Sequence, residues 1–201
     1  MYGGGTFGYC RKLTSFNIQN ETAEITGSIF NSECECLNSF KINYSNSKYK
    51  IINGVLYSKD ERKLYVYPPS KEEKFVVPEY VEELVSYSFY NNRNLVDIQI
   101  GSNVKKIGTS CFEACKKLKN VVLYSEVSGI FSFWGCNNIE KIYIGNKIKT
   151  LGGSLFYNDK NIQEVKYDGT KEEWNNIQKN SEWNRNCNIT KVICSDGEVD
   201  I

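Results

Sequence analysis

One phrase recurs along the chain, and no other feature restricts the fold as much. Phe89, Phe112, Phe133 and Phe156 stand 23, 21 and 23 residues apart. Six residues after each comes an aliphatic anchor, Leu95, Leu118, Ile139 or Ile162, which opens the runs LVDIQI, LKNVVL, IEKIYI and IQEVKY. The phrase also starts the chain, where Phe7 leads to Leu13 and LTSFNI. A sixth copy runs from Phe30 to Leu37 and LNSFKI with one extra residue between its anchors. A second anchor set, Val81/Leu84, Val104/Ile107 and Ile148/Leu151, precedes the aromatic by eight and five residues, and the copy around Val127 and Ile130 is two residues shorter there.

A period of about 20 to 29 residues is that of a leucine-rich repeat. The last four positions of each run alternate, so Ile98 and Ile100 point inward while Asp97 and Gln99 stay on the open face. A copy with a single apolar side can bury it only against a neighbour. The expected fold is therefore an α/β-type leucine-rich-repeat solenoid, a continuous right-handed coil with a parallel sheet along one face and irregular or 3-10 turns on the other. The phenylalanine fills the end of the core opposite the strand.

The whole chain, 1–201, reads as one domain with two repeats in 7–47, an inserted β-hairpin in 48–77, four repeats in 78–169 and a C-terminal cap in 170–201. The 59-residue step from Phe30 to Phe89 carries the insertion. Its strand-like runs, Tyr49 to Tyr57 and Lys63 to Tyr67, are separated by the polar SKDER, with Asn53-Gly54 as a turn signal inside the first run. Pro68-Pro69 stops the second run, because proline cannot donate to a ladder. Thr170 with Glu173 three residues on is a capping-box start for a short helix, KEEWNNIQK, with Trp174 and Ile177 on one face. The Asn-rich stretch from Asn175 to Asn188 reads as a loop, and TKVICS as a final strand before the SDG turn.

Composition narrows the function. Lysine and arginine number 25 against 24 acidic residues, so there is no basic excess for neutralising phosphates, and nucleic acid is not an expected partner. Histidine is absent, which removes the commonest general base and metal ligand together. No nucleotide-binding glycine motif occurs, and the carboxylate pairs Glu72-Glu73 and Glu172-Glu173 lie in exposed charge runs. No enzyme, cofactor or metal is expected. No stretch is long and apolar enough to span a bilayer, and the opening MYGGGTFGYC has no signal-peptide pattern.

Of the eight cysteines, Cys10, Cys115 and Cys136 stand three residues after the repeat phenylalanine, and Cys34 stands four after Phe30. A position shared by repeats lies on one line of the solenoid, so these thiols read as a buried ladder beside the turn carbonyls. A zinc site is the poorer alternative, since Cys34-x-Cys36 and Cys111-x3-Cys115 have no matching second pair. Cys187 and Cys194 could pair if the chain is exported.

The open strand face is the candidate binding surface. Its outward positions form one row of Ser15, Ser39, Asp97, Asn120, Lys141 and Glu164, and another of Asn17, Lys41, Gln99, Val122, Tyr143 and Lys166. A solvated sheet surface is the plain alternative. Tyr143 and Val122 inside a polar rim have the pattern of a binding hot spot. The insertion's Tyr57, Tyr65 and Tyr67 either pack on the solenoid or present an adhesive patch.

These copies resemble the BspA-like branch of leucine-rich repeats, in which an aromatic follows a small residue, a Cys or Asn comes three positions on and a Leu three further, as in SCFEACKKLKNVVL and SFWGCNNIEKIYI. The resemblance covers roughly residues 7 to 170. YKIINGVLYSKDERKLYVYPP also resembles the β-hairpin that often interrupts such arrays, and YDGTKEEWNNIQ the cap that often ends them. The resemblance implies a curved solenoid, often on a bacterial or protozoal surface, that serves adhesion or recognition of another protein, with a glycan as a further partner class. It carries no shared active site. An intracellular protein-binding inhibitor or effector, from a bacterium or a mobile element, is the competing reading. Eight free thiols would favour it, and bonded pairs would favour export.

Overall fold

The computed structural model describes residues 7, 9–18, 25–30, 34–43, 45–125 and 132–201. The short copy around Val127 and Ile130 and the glycines at 3–5 lie outside the described residues. The chain is a β-solenoid, mostly short strands with little helix. Seven strands form the main sheet, in the spatial order Gly197–Asp200, Lys191–Cys194, Glu164–Tyr167, Lys141–Ile144, Asn120–Leu123, Asp97–Ile100 and Lys74–Val76. All its pairs are parallel except the last hairpin, Lys191–Cys194 with Gly197–Asp200. The alternation read from the runs holds: Ile98, Ile100, Val121, Leu123, Ile142, Ile144, Val165 and Tyr167 are all buried.

Phe89, Phe112, Phe133 and Phe156 stack face to face through the core, with centroids 4.6, 4.9 and 5.3 Å apart. All four are completely buried. On the opposite side the described turns do not wind into helices. The residue two after the aromatic is left-handed in Tyr9, Asn91, Ala114, Gly135 and Asn158, and so is the residue two before it in Tyr87, Ser110 and Ser154. A left-handed residue every few positions interrupts any right-handed helix. The described helices are the α-helix Lys171–Asn176 and the 3-10 turn Gly27–Phe30.

The strand face of the solenoid is divided into two sheets, although Ser70 N still donates to the Leu37 carbonyl across the divide. The strands Ser15–Ile18 and Ser39–Ile42 pair with each other in a separate two-stranded sheet and enclose a separate core around Phe30, Leu37 and Phe40. The insertion lies against both cores. Leu56 and Val66 pack into the N-terminal one, while Val55, Tyr57, Leu64 and Tyr67 pack into the main one. That double burial explains why VLY reads as unbroken apolar sequence. It also settles the tyrosines: Tyr57 and Tyr67 are core residues, and Tyr65 is half-buried with its ring 5.2 Å from Tyr49.

The expected hairpin is a three-stranded meander. Asn53 and Gly54 are both left-handed, with φ of 50° and 79°, so the first run folds back on itself as Tyr49–Ile52 and Val55–Ser58 before Lys63–Val66 follows. The third strand continues in parallel into Glu83–Leu84 and Lys106–Ile107, the second anchor set, to make a five-stranded sheet. Here Glu83 bridges Lys63 at 3.0 Å and Lys106 at 2.7 Å.

Near the C-terminus both halves of the Thr170 and Glu173 capping box form, and Trp174 and Ile177 are buried. The helix is shorter than its pattern suggested. Ile177 is already extended, and Gln178–Lys179 forms a short strand beside Thr150–Leu151 inside the stretch read as loop. Trp183 packs edge-on against Trp174. Lys191–Cys194 is not the final strand, since Gly197 takes a φ of 133° and the chain returns as Gly197–Asp200.

Candidate binding surface

The register of the main sheet brings the sequence-predicted residues together. Asp97, Asn120, Lys141 and Glu164 are direct neighbours across four strands, and so are Gln99, Val122, Tyr143 and Lys166. Ser15, Ser39, Asn17 and Lys41 do not join them, because their strands belong to the separate sheet. In their place stand Lys74 beside Asp97 and Val76 beside Gln99, both from the insertion. Ile193 extends the second row at the other end. The missed signal was Tyr67, which stands 22 residues before Phe89 and takes the aromatic place of a coil whose strand is Lys74–Val76. A tyrosine for the phenylalanine and Pro68-Pro69 after it hid that copy.

The first row is tied by polar contacts. Lys74 bridges Asp97 at 3.1 Å, and the Asn120 side chain donates to the other oxygen of the same carboxylate. The second row is more apolar. Val76, at 62% exposure, is among the most exposed large hydrophobic residues, and Val122, Tyr143 and Ile193 are half-buried.

Tyr143 is held by residues that the alternation did not single out. Tyr124 and Asp168 each directly follow a strand of the sheet. The Tyr124 ring lies 5.7 Å from the Tyr143 ring. Burial, together with the Asp168 carboxylate beside its hydroxyl, pushes the Tyr143 phenol up to about 12. Gly145, at the corresponding place after its own strand, makes room: a Cβ there would stand 2.6 Å from the Tyr124 ring. A glycine closing an alternating run, beside a tyrosine closing the run before it, is the signal that could have found this cluster.

The thiol ladder forms beside the aromatic stack. Cys34, Cys115 and Cys136 donate to the carbonyls of Phe7, Phe89 and Phe112, one coil back, at 2.9, 3.1 and 2.9 Å. Burial raises the Cys34 thiol and pushes Cys111 up to about 12, which keeps these groups un-ionised. Cys187 joins the same line by donating to Phe156 O, and both Cys187 and Cys194 are free thiols. Cys36 is exposed while Cys34 is buried, so that pair does not converge. Among the described residues no three Cys, Asp or Glu side chains gather into a metal-binding set.

A second surface lies on the turn side, where Trp134 and Tyr157 directly follow Phe133 and Phe156. Trp134, Tyr157, Ser154, Glu182 and Arg185 line a cleft of about 310 Å³. Trp134 is 41% exposed. Arg185 lies over the Tyr157 ring at 5.8 Å and pairs with Glu182 at 2.7 Å.

Comparisons with known proteins agree with this architecture. Similar solved structures include a leucine-rich cell surface protein from Faecalibacterium prausnitzii (22% identity, TM-score 0.55, 82% of this chain and 51% of that one). A leucine-rich repeat protein from Eubacterium ventriosum aligns at 19% identity and TM-score 0.58, over 92% and 63% of the two chains. The pneumococcal vaccine antigen PcpA aligns at 18% identity and TM-score 0.53, over 92% and 56%. The chain thus spans about half to two thirds of the length of these proteins. A search of curated proteins finds no match. The family described as BspA type leucine rich repeat region matches in six copies over residues 2–63 and 62–190, and the chain belongs to that family.

Proposed function

We propose that the chain is a non-catalytic recognition module that binds another protein through the main sheet, with Tyr143 as the central anchor. The observation that carries this reading is the Tyr143 cluster. An aromatic side chain on the outward side of the main sheet stands against the Tyr124 ring and the Asp168 carboxylate, with Val122 and Lys166 beside it on the neighbouring strands and Gln99, Lys141 and Glu164 further out. Fixing an aromatic before contact lowers the entropic cost of binding, and an apolar centre with a polar rim is the usual anatomy of an interface. Asp97 and Asn120 extend the rim. The segment after Thr170 serves as the cap that shields the last coil, which a solenoid needs for solubility.

A surface or secreted location is supported by the names of two similar structures, a cell surface protein and a vaccine antigen. Binding rather than catalysis is supported by the absence of histidine and by carboxylate pairs that lie on solvated surface. The test is a pull-down from candidate host or bacterial surface proteins, followed by affinity measurement with Tyr143→Ala. Loss of a central anchor should weaken binding by about thirtyfold or more. An unchanged affinity for a verified partner removes this face from consideration.

A second partner class, a glycan, is favoured by the turn-side cleft. The exposed Trp134 ring offers a flat apolar platform, and the paired Arg185 and Glu182 offer donors and acceptors at its wall, which suits the apolar face and hydroxyl edge of a pyranose. Titrating oligosaccharides against Trp fluorescence checks it. A Trp134→Ala chain that binds the same sugars equally well rules it out.

A further inference from the structure

The ladder beside the aromatic stack has one member that departs from the rest. Five rungs donate a hydrogen bond backwards along the solenoid: Cys34, Cys115, Cys136 and Cys187 through sulfur, and Asn92 through its Nδ2 to the carbonyl of Pro68 at 2.9 Å. In the coil of Phe156 the same place, three residues after the aromatic, is held by Asp159. Its Oδ1 accepts from Asn161 N, as the Asn92 Oδ1 accepts from Asn94 N, so its Oδ2 takes the place of the Asn92 amide nitrogen. That oxygen is fully buried and has no partner, in a residue only 1% exposed. A carboxylate can only accept, and the pattern of the ladder directs the position at the carbonyl of Phe133, another acceptor.

We propose that Asp159 stands in the ladder as a neutral carboxylic acid whose Oδ2–H donates to the Phe133 carbonyl one coil back, so that loss of this one proton loosens the C-terminal coils. The device goes beyond the binding role and does not depend on which face meets a partner.

The surroundings favour the proton. Burial moves the acid from its ordinary 3.8 up to about 6, although the backbone N–H groups of Asn161 and Ile139 act in the opposite direction. The titratable groups facing it are Cys136 on the preceding coil and Cys187 on the following one. Burial pushes both thiols up, Cys187 to about 11, so they are neutral across the range in which Asp159 titrates. Among the described residues no cation contributes to its environment.

An acid whose folded value is raised adds stability that is complete below about pH 4 and is lost as the pH rises through about 6. Two units of displacement correspond to about hundredfold in the folding equilibrium. The strand Glu164–Tyr167, which carries part of the candidate binding face, begins five residues after Asp159.

The test compares the full chain with Asp159→Asn, a substitution that reproduces Asn92 and donates at every pH. Denaturant unfolding is followed from pH 4.5 to 8. The folding equilibrium of the natural chain should fall relative to the variant by tens of fold, most of it between pH 4.5 and 6, whereas parallel profiles overturn the proposal. Infrared spectroscopy of the unsubstituted chain with 13C-labelled aspartate gives an answer even if the variant does not fold. A protonated carboxyl band at pH 5 that disappears near pH 6 is expected. Its absence at pH 5 overturns the assignment.

Discussion

Tyr67 lies flat on Phe89, with ring centroids 5.0 Å apart and planes inclined by 23°, in the same manner as the phenylalanines stack on one another. The last residue before Pro68 therefore extends the aromatic column of the repeats, and the insertion is joined to the solenoid at its core. The Tyr67 hydroxyl reaches the carbonyl of Glu72 at 3.3 Å.

Removing this ring should act as a core deletion. Tyr67→Ala is expected to destabilise the fold by about 3 to 5 kcal/mol, and Tyr67→Phe, which loses only a long hydrogen bond, by about 1 kcal/mol or less. Chemical denaturation of the two variants measures both. A Tyr67→Ala chain as stable as the natural one would show that the meander hangs outside the core.

The ion pairs across the five-stranded sheet should give stability with a definite pH sign. Burial raises the Glu83 carboxyl, but Lys106 and Lys63 outweigh it and hold the group below the usual glutamate range. A depressed carboxylate contributes stability that is present above the unfolded pKa and lost as the pH falls through the folded one. Glu83→Gln should therefore cost about 1 kcal/mol at pH 7 and progressively less below pH 4. Melting temperatures at pH 7 and pH 3.5 test this, and an equal loss at both would refute the electrostatic origin.

The thiols should differ sharply in reactivity. Cys36 is exposed, whereas Cys111, Cys115 and Cys136 are completely buried. Because burial raises the Cys111 and Cys136 thiols, brief alkylation of the folded chain should label Cys36 first and those two only after unfolding. Peptide mass mapping after a timed pulse reads the order. Rapid native labelling of Cys136 would contradict its place in the ladder.

Gly145 is expected to matter for the face without mattering equally for the fold. A methyl at this position meets the Tyr124 ring and must turn it away from Tyr143. Gly145→Ala should change the near-ultraviolet circular dichroism of the tyrosines and weaken partner binding, while unfolding shifts by about 1 kcal/mol. Unaltered tyrosine signals would mean that the two rings are not coupled.

The solenoid was legible because its signal is redundant. Six phenylalanines in two runs with steps of 21 to 23 residues, each followed by Leu or Ile and an alternating run, leave few other ways to bury one apolar side per copy. The thiol ladder was legible for the same reason, since a shared offset from the aromatic places Cys115 and Cys136 on one line. The outward positions Asp97 to Lys166 likewise follow from the period of two along a strand.

What the chain's order could not express is contact between segments that share no pattern. The break between Ser39–Ile42 and the main sheet, and the entry of Lys74–Val76 in its place, depend on a meander whose two faces fill two cores, and alternation within one strand does not report which core each face meets. Tyr124 and Asp168 gain their role only because parallel strands set their ends side by side. Nothing in the local sequence YNDKN distinguishes Asp159 from an ordinary surface acid. Only the stacking of coils shows it buried, where a missing hydrogen-bond donor changes the chemistry of the group.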